Sequence, residues 1–218
     1  MDEIFKQYID LEYKSFSLKI VPNTKILGIR SDNLKLIAKE YASNNLAYFN
    51  SNLEYHEEKM VYMFMLSYIK DVDLIYDKLD EFVPKIENWA QCDALLNIKR
   101  IKKNRDKFMP LVKKYRYSSR EFESRFALIM LLSHYMDEEY LDFIFETIEN
   151  LKSDKYYTEM AAAWLICECF IKHRDYTYKR FKDLKVSKFI FNKAIQKIKE
   201  SYRVSLEDKE YLKTLKRK

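Results

Sequence analysis

Tyr156-Tyr157-Thr158-Glu159-Met160-Ala161-Ala162-Ala163-Trp164 opens a stretch, residues 155–173, that reads as one helix. It is alanine-rich and free of glycine and proline, the residues that most disfavour a helix interior. The same texture extends outward in both directions. Apolar residues recur at three- and four-residue spacing nearly throughout, which is the signature of helices burying one face. The 218 residues hold a single glycine and three prolines, so almost no material is left for β-turns, hairpins or glycine-rich phosphate loops. The sequence therefore predicts an all-α protein.

Helices are expected near 2–16, 32–43, 55–69, 71–82, 89–104, 106–115, 119–135, 138–151, 155–173, 176–183, 188–203 and 206–216. The breaks fall at Val21-Pro22-Asn23-Thr24, Ser43-Asn44-Asn45, Val83-Pro84, Met109-Pro110, Ser118-Ser119 and Lys152-Ser153-Asp154. Phe82-Val83-Pro84 and Phe108-Met109-Pro110 look like one punctuation mark used twice. A run of helix pairs argues for an α-α superhelix of HEAT-like repeats, curved with a concave basic face, rather than a four-helix bundle. Length and a hydrophobic content of 48% suit one domain over residues 1–218.

No stretch approaches the roughly 20 uninterrupted apolar residues of a membrane span. The start Met1-Asp2-Glu3-Ile4-Phe5 lacks the basic and apolar regions of a signal peptide, so a cytoplasmic protein is expected. A monomer is expected. Cys92, Cys167 and Cys169 are odd in number and form no CxxC pair, and they read as reduced, small core residues. With His56, His134 and His173 at no ligand spacing from them, no metal and no cofactor is expected.

Charge is uneven. Residues 99–116 carry nine Lys/Arg against Asp106 alone, and residues 172–218 carry sixteen basic side chains against six acidic ones. With a net charge of +6 overall, the rest of the chain is strongly acidic. Two basic segments on an acidic body suit a polyanion such as nucleic acid, although solvated helix faces would show the same pattern.

Glu87-Asn88-Trp89-Ala90-Gln91-Cys92-Asp93 holds one of the two tryptophans four residues before an aspartate, so a helix sets an indole and a carboxylate on one face. That pair stabilises a cation. It also reads as an apolar anchor beside a solvated acid. Trp164 similarly suits the core, and Arg125 can pair with Glu121 one turn earlier. Lys193, Lys197 and Arg203 are candidate phosphate contacts. Glu57-Glu58 after His56 reads as a solvated first turn facing the helix dipole. Gly28 answers a backbone need at a turn or a close helix contact.

Taken in order, five pieces resemble the AlkD-like DNA alkylation repair proteins, HEAT-like-repeat DNA glycosylases and their relatives. They are Ile26-Leu27-Gly28-Ile29-Arg30 followed by Leu34–Glu40, Asn88–Asp93, Ser124–Ile129, Tyr156–Trp164 and Asn192–Arg203. The resemblance spans about residues 15–204. It implies that Trp89, Asp93, Arg125 and Trp164 line a DNA-facing cleft, with double-stranded DNA carrying alkylated purines as partner. The cytoplasmic protein would then be nucleoid-associated when on DNA. The glycosylases of the family set two helices before the glycine motif. Here 27 residues precede Gly28, room for one helix and an extended link.

The implied reaction asks little of the protein. A purine alkylated at N3 or N7 is cationic and already a good leaving group. As its glycosidic bond lengthens, charge passes to the deoxyribose. Asp93 would stabilise that charge and orient water, Trp89 and Trp164 would offer their faces, and Arg125 would hold a phosphate. Two other readings stay open: a non-catalytic relative that binds damaged or branched DNA, and a helical-repeat scaffold for another protein.

Overall fold

The periodicity is realised as helix. The structure, a computed structural model, describes residues 2–21 and 24–217, and among these it contains fourteen α-helices and no strand. Pro22 and Asn23, expected in a break, lie outside the described residues. Among the described residues, no helix is long and apolar enough to cross a membrane. The chain forms two compact units, Met1–Lys107 and Phe108–Lys218.

The first unit contains α1 (Glu3–Lys6), α2 (Leu11–Ile20), α3 (Ser31–Asn44), α4 (His56–Tyr68), α5 (Val72–Phe82), α6 (Trp89–Asp93) and α7 (Arg100–Lys103). Helix α4 is its axis. Residues Glu57 through Leu66 are all buried, as expected of a helix covered on every side. Helix α3 packs along it, and Tyr62 stacks on Phe82 with ring centroids 4.5 Å apart, bringing in α5. Helix α8 (Arg105–Tyr115) contains the boundary between the units.

The second unit contains α9 (Glu121–His134), α10 (Leu141–Glu149), α11 (Tyr156–Lys172), α12 (Arg174–Phe181), α13 (Lys188–Glu200) and α14 (Leu206–Thr214). Helix α11 packs against α9, α12 and α13. Ala161, Ala162 and Ala163 are fully or almost fully buried there, and their small side chains let neighbouring helices approach. Helix-on-helix packing of this kind is what an α-α repeat fold is built from. Cys92, Cys167 and Cys169 are buried thiols, as read from the sequence.

Several expected boundaries move. The helix expected over 2–16 is two helices. Asp10 restarts the chain by accepting the Tyr13 amide at 2.9 Å, while its own amide donates to the Gly28 carbonyl. The helix expected over 89–104 is broken into α6, a 3₁₀ turn at Ala94–Asn97 and α7. Leu95, Ile98 and Ile101 are all buried at a spacing of three, which a tighter winding serves better than an α-helix. Pro110, expected as a break, instead sits inside α8. Phe108, Leu111 and Val112 are fully buried around it, and this anchorage offsets the one backbone bond proline removes. The Val83-Pro84 break stands, as a 3₁₀ turn that ends α5.

Candidate functional site

A cleft of about 340 Å³ opens in the first unit, and both Trp89 and Asp93 line it. The single turn of α6 places them on one wall, and each is partly exposed. Tyr13, Ser17 and Ile20 of α2 also line it, and Met60 and Phe64 of α4 add apolar surface. Lys35 of α3 adds a cation at the rim, its Nζ 6.0 Å from the Phe64 ring centroid. The indole Nε1–H of Trp89 donates to the Ile20 carbonyl at 3.4 Å, so the ring is tied to the end of α2. The N-terminal region thus supplies two helices, not one, and the second forms part of the cleft.

The wall bearing Trp89 is held from behind. Asn88 caps α6, its Oδ1 accepting the Gln91 amide at 3.2 Å, and Gln91 Oε1 in turn accepts the Glu87 amide at 2.9 Å. Asn88 Nδ2 lies 3.2 Å from His56 Nδ1. Burial pushes the His56 imidazole below its ordinary value of 6.5, so the ring is neutral near pH 7. Lys59, almost wholly buried, pairs with Glu87 at 2.6 Å.

Another part of the lining is held by a residue the sequence placed in solvent. Glu57 is 1% exposed and lines the cleft. Its Oε1 accepts the Gly28 and Ile29 amides at 2.8 and 3.3 Å, and its Oε2 accepts the Leu27 amide at 2.9 Å. Glu58, also buried, accepts the Glu54 and Tyr55 amides. The expected solvated first turn is therefore corrected: both carboxylates are buried because backbone N–H groups satisfy them. Gly28 has φ +94°, and a Cβ there would lie 2.5 Å from the Asp10 carbonyl and 2.6 Å from Lys14 Cβ. Positive φ and close helix approach both apply at that residue.

The remaining candidates belong to the second unit. Trp164 is partly exposed on α11. Arg125, read from the sequence as a phosphate contact, is 5% exposed on α9, and its Nη1 donates to the Tyr157 carbonyl at 2.9 Å. The Glu121 carboxylate accepts the Tyr157 amide at 2.6 Å, and its carbonyl accepts the Thr158 hydroxyl at 2.9 Å. The first turn of α9 thereby grips the first turn of the helix that carries Trp164. Lys193 and Lys197 are partly exposed on α13, the helix packed against α11. Arg203 forms a two-point pair with Glu168, which follows Trp164 by one turn on α11.

His56, Asn88, Glu57 and Lys59 hold the site and were not singled out for it by sequence reasoning. Only Asn88 carried a usable signal, a capping residue just before the tryptophan.

A family model described as "DNA alkylation repair enzyme" matches residues 2–198 of the chain. Comparison with curated proteins finds no match.

Proposed function

From the premise that this chain belongs to the DNA alkylation repair enzyme family, we propose that it is a DNA glycosylase. It hydrolyses the N-glycosidic bond of cationic N3- and N7-alkylpurines in double-stranded DNA. The observation that carries this reading is the pairing of the Trp89 indole and the Asp93 carboxylate along one cleft.

An alkylated purine leaves without protonation, so the protein has to stabilise the oxocarbenium-like sugar and supply water. A carboxylate in a partly apolar cleft does the first by charge and the second by orienting or partly deprotonating the nucleophile. The Trp89 face adds roughly 0.5–2 kcal/mol of cation–π attraction, realised most fully as charge develops on the sugar. Trp164 belongs to the second unit, where its partly exposed indole is a separate candidate for such a contact. No cofactor enters this chemistry.

The DNA backbone is assigned to Lys193, Lys197 and Arg203. The Arg203–Glu168 pair is exposed on its arginine side, and exposed ion pairs exchange readily for a phosphate. Arg125 is assigned to holding α11, and through it Trp164, since its guanidinium is buried against Tyr157.

The deciding experiment is release of labelled 3-methyladenine and 7-methylguanine from alkylated duplex DNA by the wild-type chain and an Asp93→Asn variant. Release by wild type and its loss in the variant supports the reading. Salt-sensitive DNA binding without base release would make the chain a non-catalytic DNA-binding relative. Absence of DNA binding even at low salt would leave the protein-scaffold reading.

A further inference from the structure

The first turn of α4 places four successive side chains on different parts of the cleft frame. Glu57 takes the amides of Leu27, Gly28 and Ile29, and Glu58 takes those of Glu54 and Tyr55. His56 and Lys59 both reach the two residues just before Trp89, meeting Asn88 and Glu87 respectively. The position of Trp89 and Asp93 is thus set from α4. We propose that His56 is a positioning residue for the Trp89–Asp93 turn, acting as a hydrogen-bond acceptor at Nδ1 for the Asn88 side chain. The inference rests on the glycosylase reading only for its catalytic consequence.

The direction of that hydrogen bond follows from Asn88. Its Oδ1 already accepts the Gln91 amide as the cap of α6, so its Nδ2 faces the imidazole as a donor. His56 Nδ1 must then present a lone pair, which puts the ring proton on Nε2. His56 also lines the cleft, together with Asp93, Glu57, Lys35 and Tyr13. Burial works against a charged ring. Glu57 and Glu87 favour the imidazolium, and Lys59 opposes it. A second proton, at Nδ1, would set N–H against N–H at Asn88 and release the cap. Acid should therefore move Trp89 in a single step below the ordinary histidine range.

The two tryptophans allow a direct test with 5-fluorotryptophan-labelled protein, the two fluorine resonances being assigned with Trp164→Phe. Nitrogen NMR of the wild-type ring should report the tautomer protonated at Nε2. His56→Phe should shift the Trp89 resonance. It should also lower kcat for alkylbase release by roughly ten- to a hundredfold with KM little changed, as a misplaced catalytic group does. His56→Asn, whose Oδ1 restores an acceptor near the place of Nδ1, should recover most of both. A proton on Nδ1, an unmoved Trp89 resonance in His56→Phe, or an Asn variant as impaired as the Phe variant would overturn the proposal. If wild type releases no base, the glycosylase reading fails, and the nitrogen and fluorine results still decide the positioning role.

Discussion

Asp93 bears the sharpest consequence at the scale of single residues. Asp93→Asn keeps the size of the side chain and removes its charge. It should lower single-turnover release of 7-methylguanine by about 10²–10⁴-fold, the range for loss of a base and of electrostatic stabilisation. Affinity for the DNA, followed by fluorescence anisotropy, should hardly change, because the carboxylate acts on charge that appears only in the transition state. Unchanged release in that variant would remove Asp93 from the reaction. Gly28→Ala tests the frame rather than the chemistry. The backbone conformation there costs an L-residue on the order of 1–3 kcal/mol, and the new methyl meets the Asp10 carbonyl and Lys14. Urea unfolding should show a loss at least of that size. An unaltered midpoint would mean that α2 does not pack against Gly28 as described.

At the scale of elements, α14 is docked by an ion pair together with the buried Leu212 and the stacking of Tyr211 on Tyr178, ring centroids 5.0 Å apart. Arg174, at the start of α12, makes a two-point contact with Asp208 in the first turn of α14, which Ser205 caps. The arginine holds the Asp208 carboxyl below the ordinary 3.8. Asp208 thus stays ionised in the folded protein at acidity that protonates it in the unfolded chain. Its contribution to stability is complete above the ordinary value and is lost as the pH falls through the lower, folded one. Asp208→Asn at neutral pH should speed hydrogen exchange of the α14 amides and leave those of α4 unchanged. Equal exchange in α14 before and after the substitution would show that the pair does not dock it. The same scale shows where reading helix boundaries from pattern alone loses accuracy. Periodicity located the long helices within a few residues, from α3 to α13. It missed the restart at Asp10 and the tight turn at Ala94–Asn97, where distant packing chooses among nearly equal local conformations.

For the molecule as a whole, charge is the property that counts. The positive excess in residues 99–116 and 172–218 predicts binding to duplex DNA that weakens steeply as salt rises, because each neutralised phosphate releases counterions. Lys193→Ala and Lys197→Ala should each lower the slope of log affinity against log salt by about one, without changing preference among sequences. A slope that ignores both substitutions would move the DNA contact away from α13.

Fold class and the Trp89–Asp93 pair were legible before any coordinates, and for the same reason. Helix formation and the meeting of residues four apart depend on short-range sterics that each segment carries in its own composition. The frame around the pair was not legible. Glu57 and Glu58 look like solvated acids in any local reading. Glu57 is buried because three amides some thirty residues earlier turn toward it. Arg125 reads as a partner of Glu121 or as a phosphate contact, and its guanidinium donates instead to the Tyr157 carbonyl, thirty-two residues on. Helix α2 is remote from Trp89 along the chain, and only the packed structure shows Ile20 accepting the indole N–H. Polar partners separated by tens of residues leave no periodic trace in a chain, so the burial of these groups and the walls of the cleft emerge only once the helices have packed.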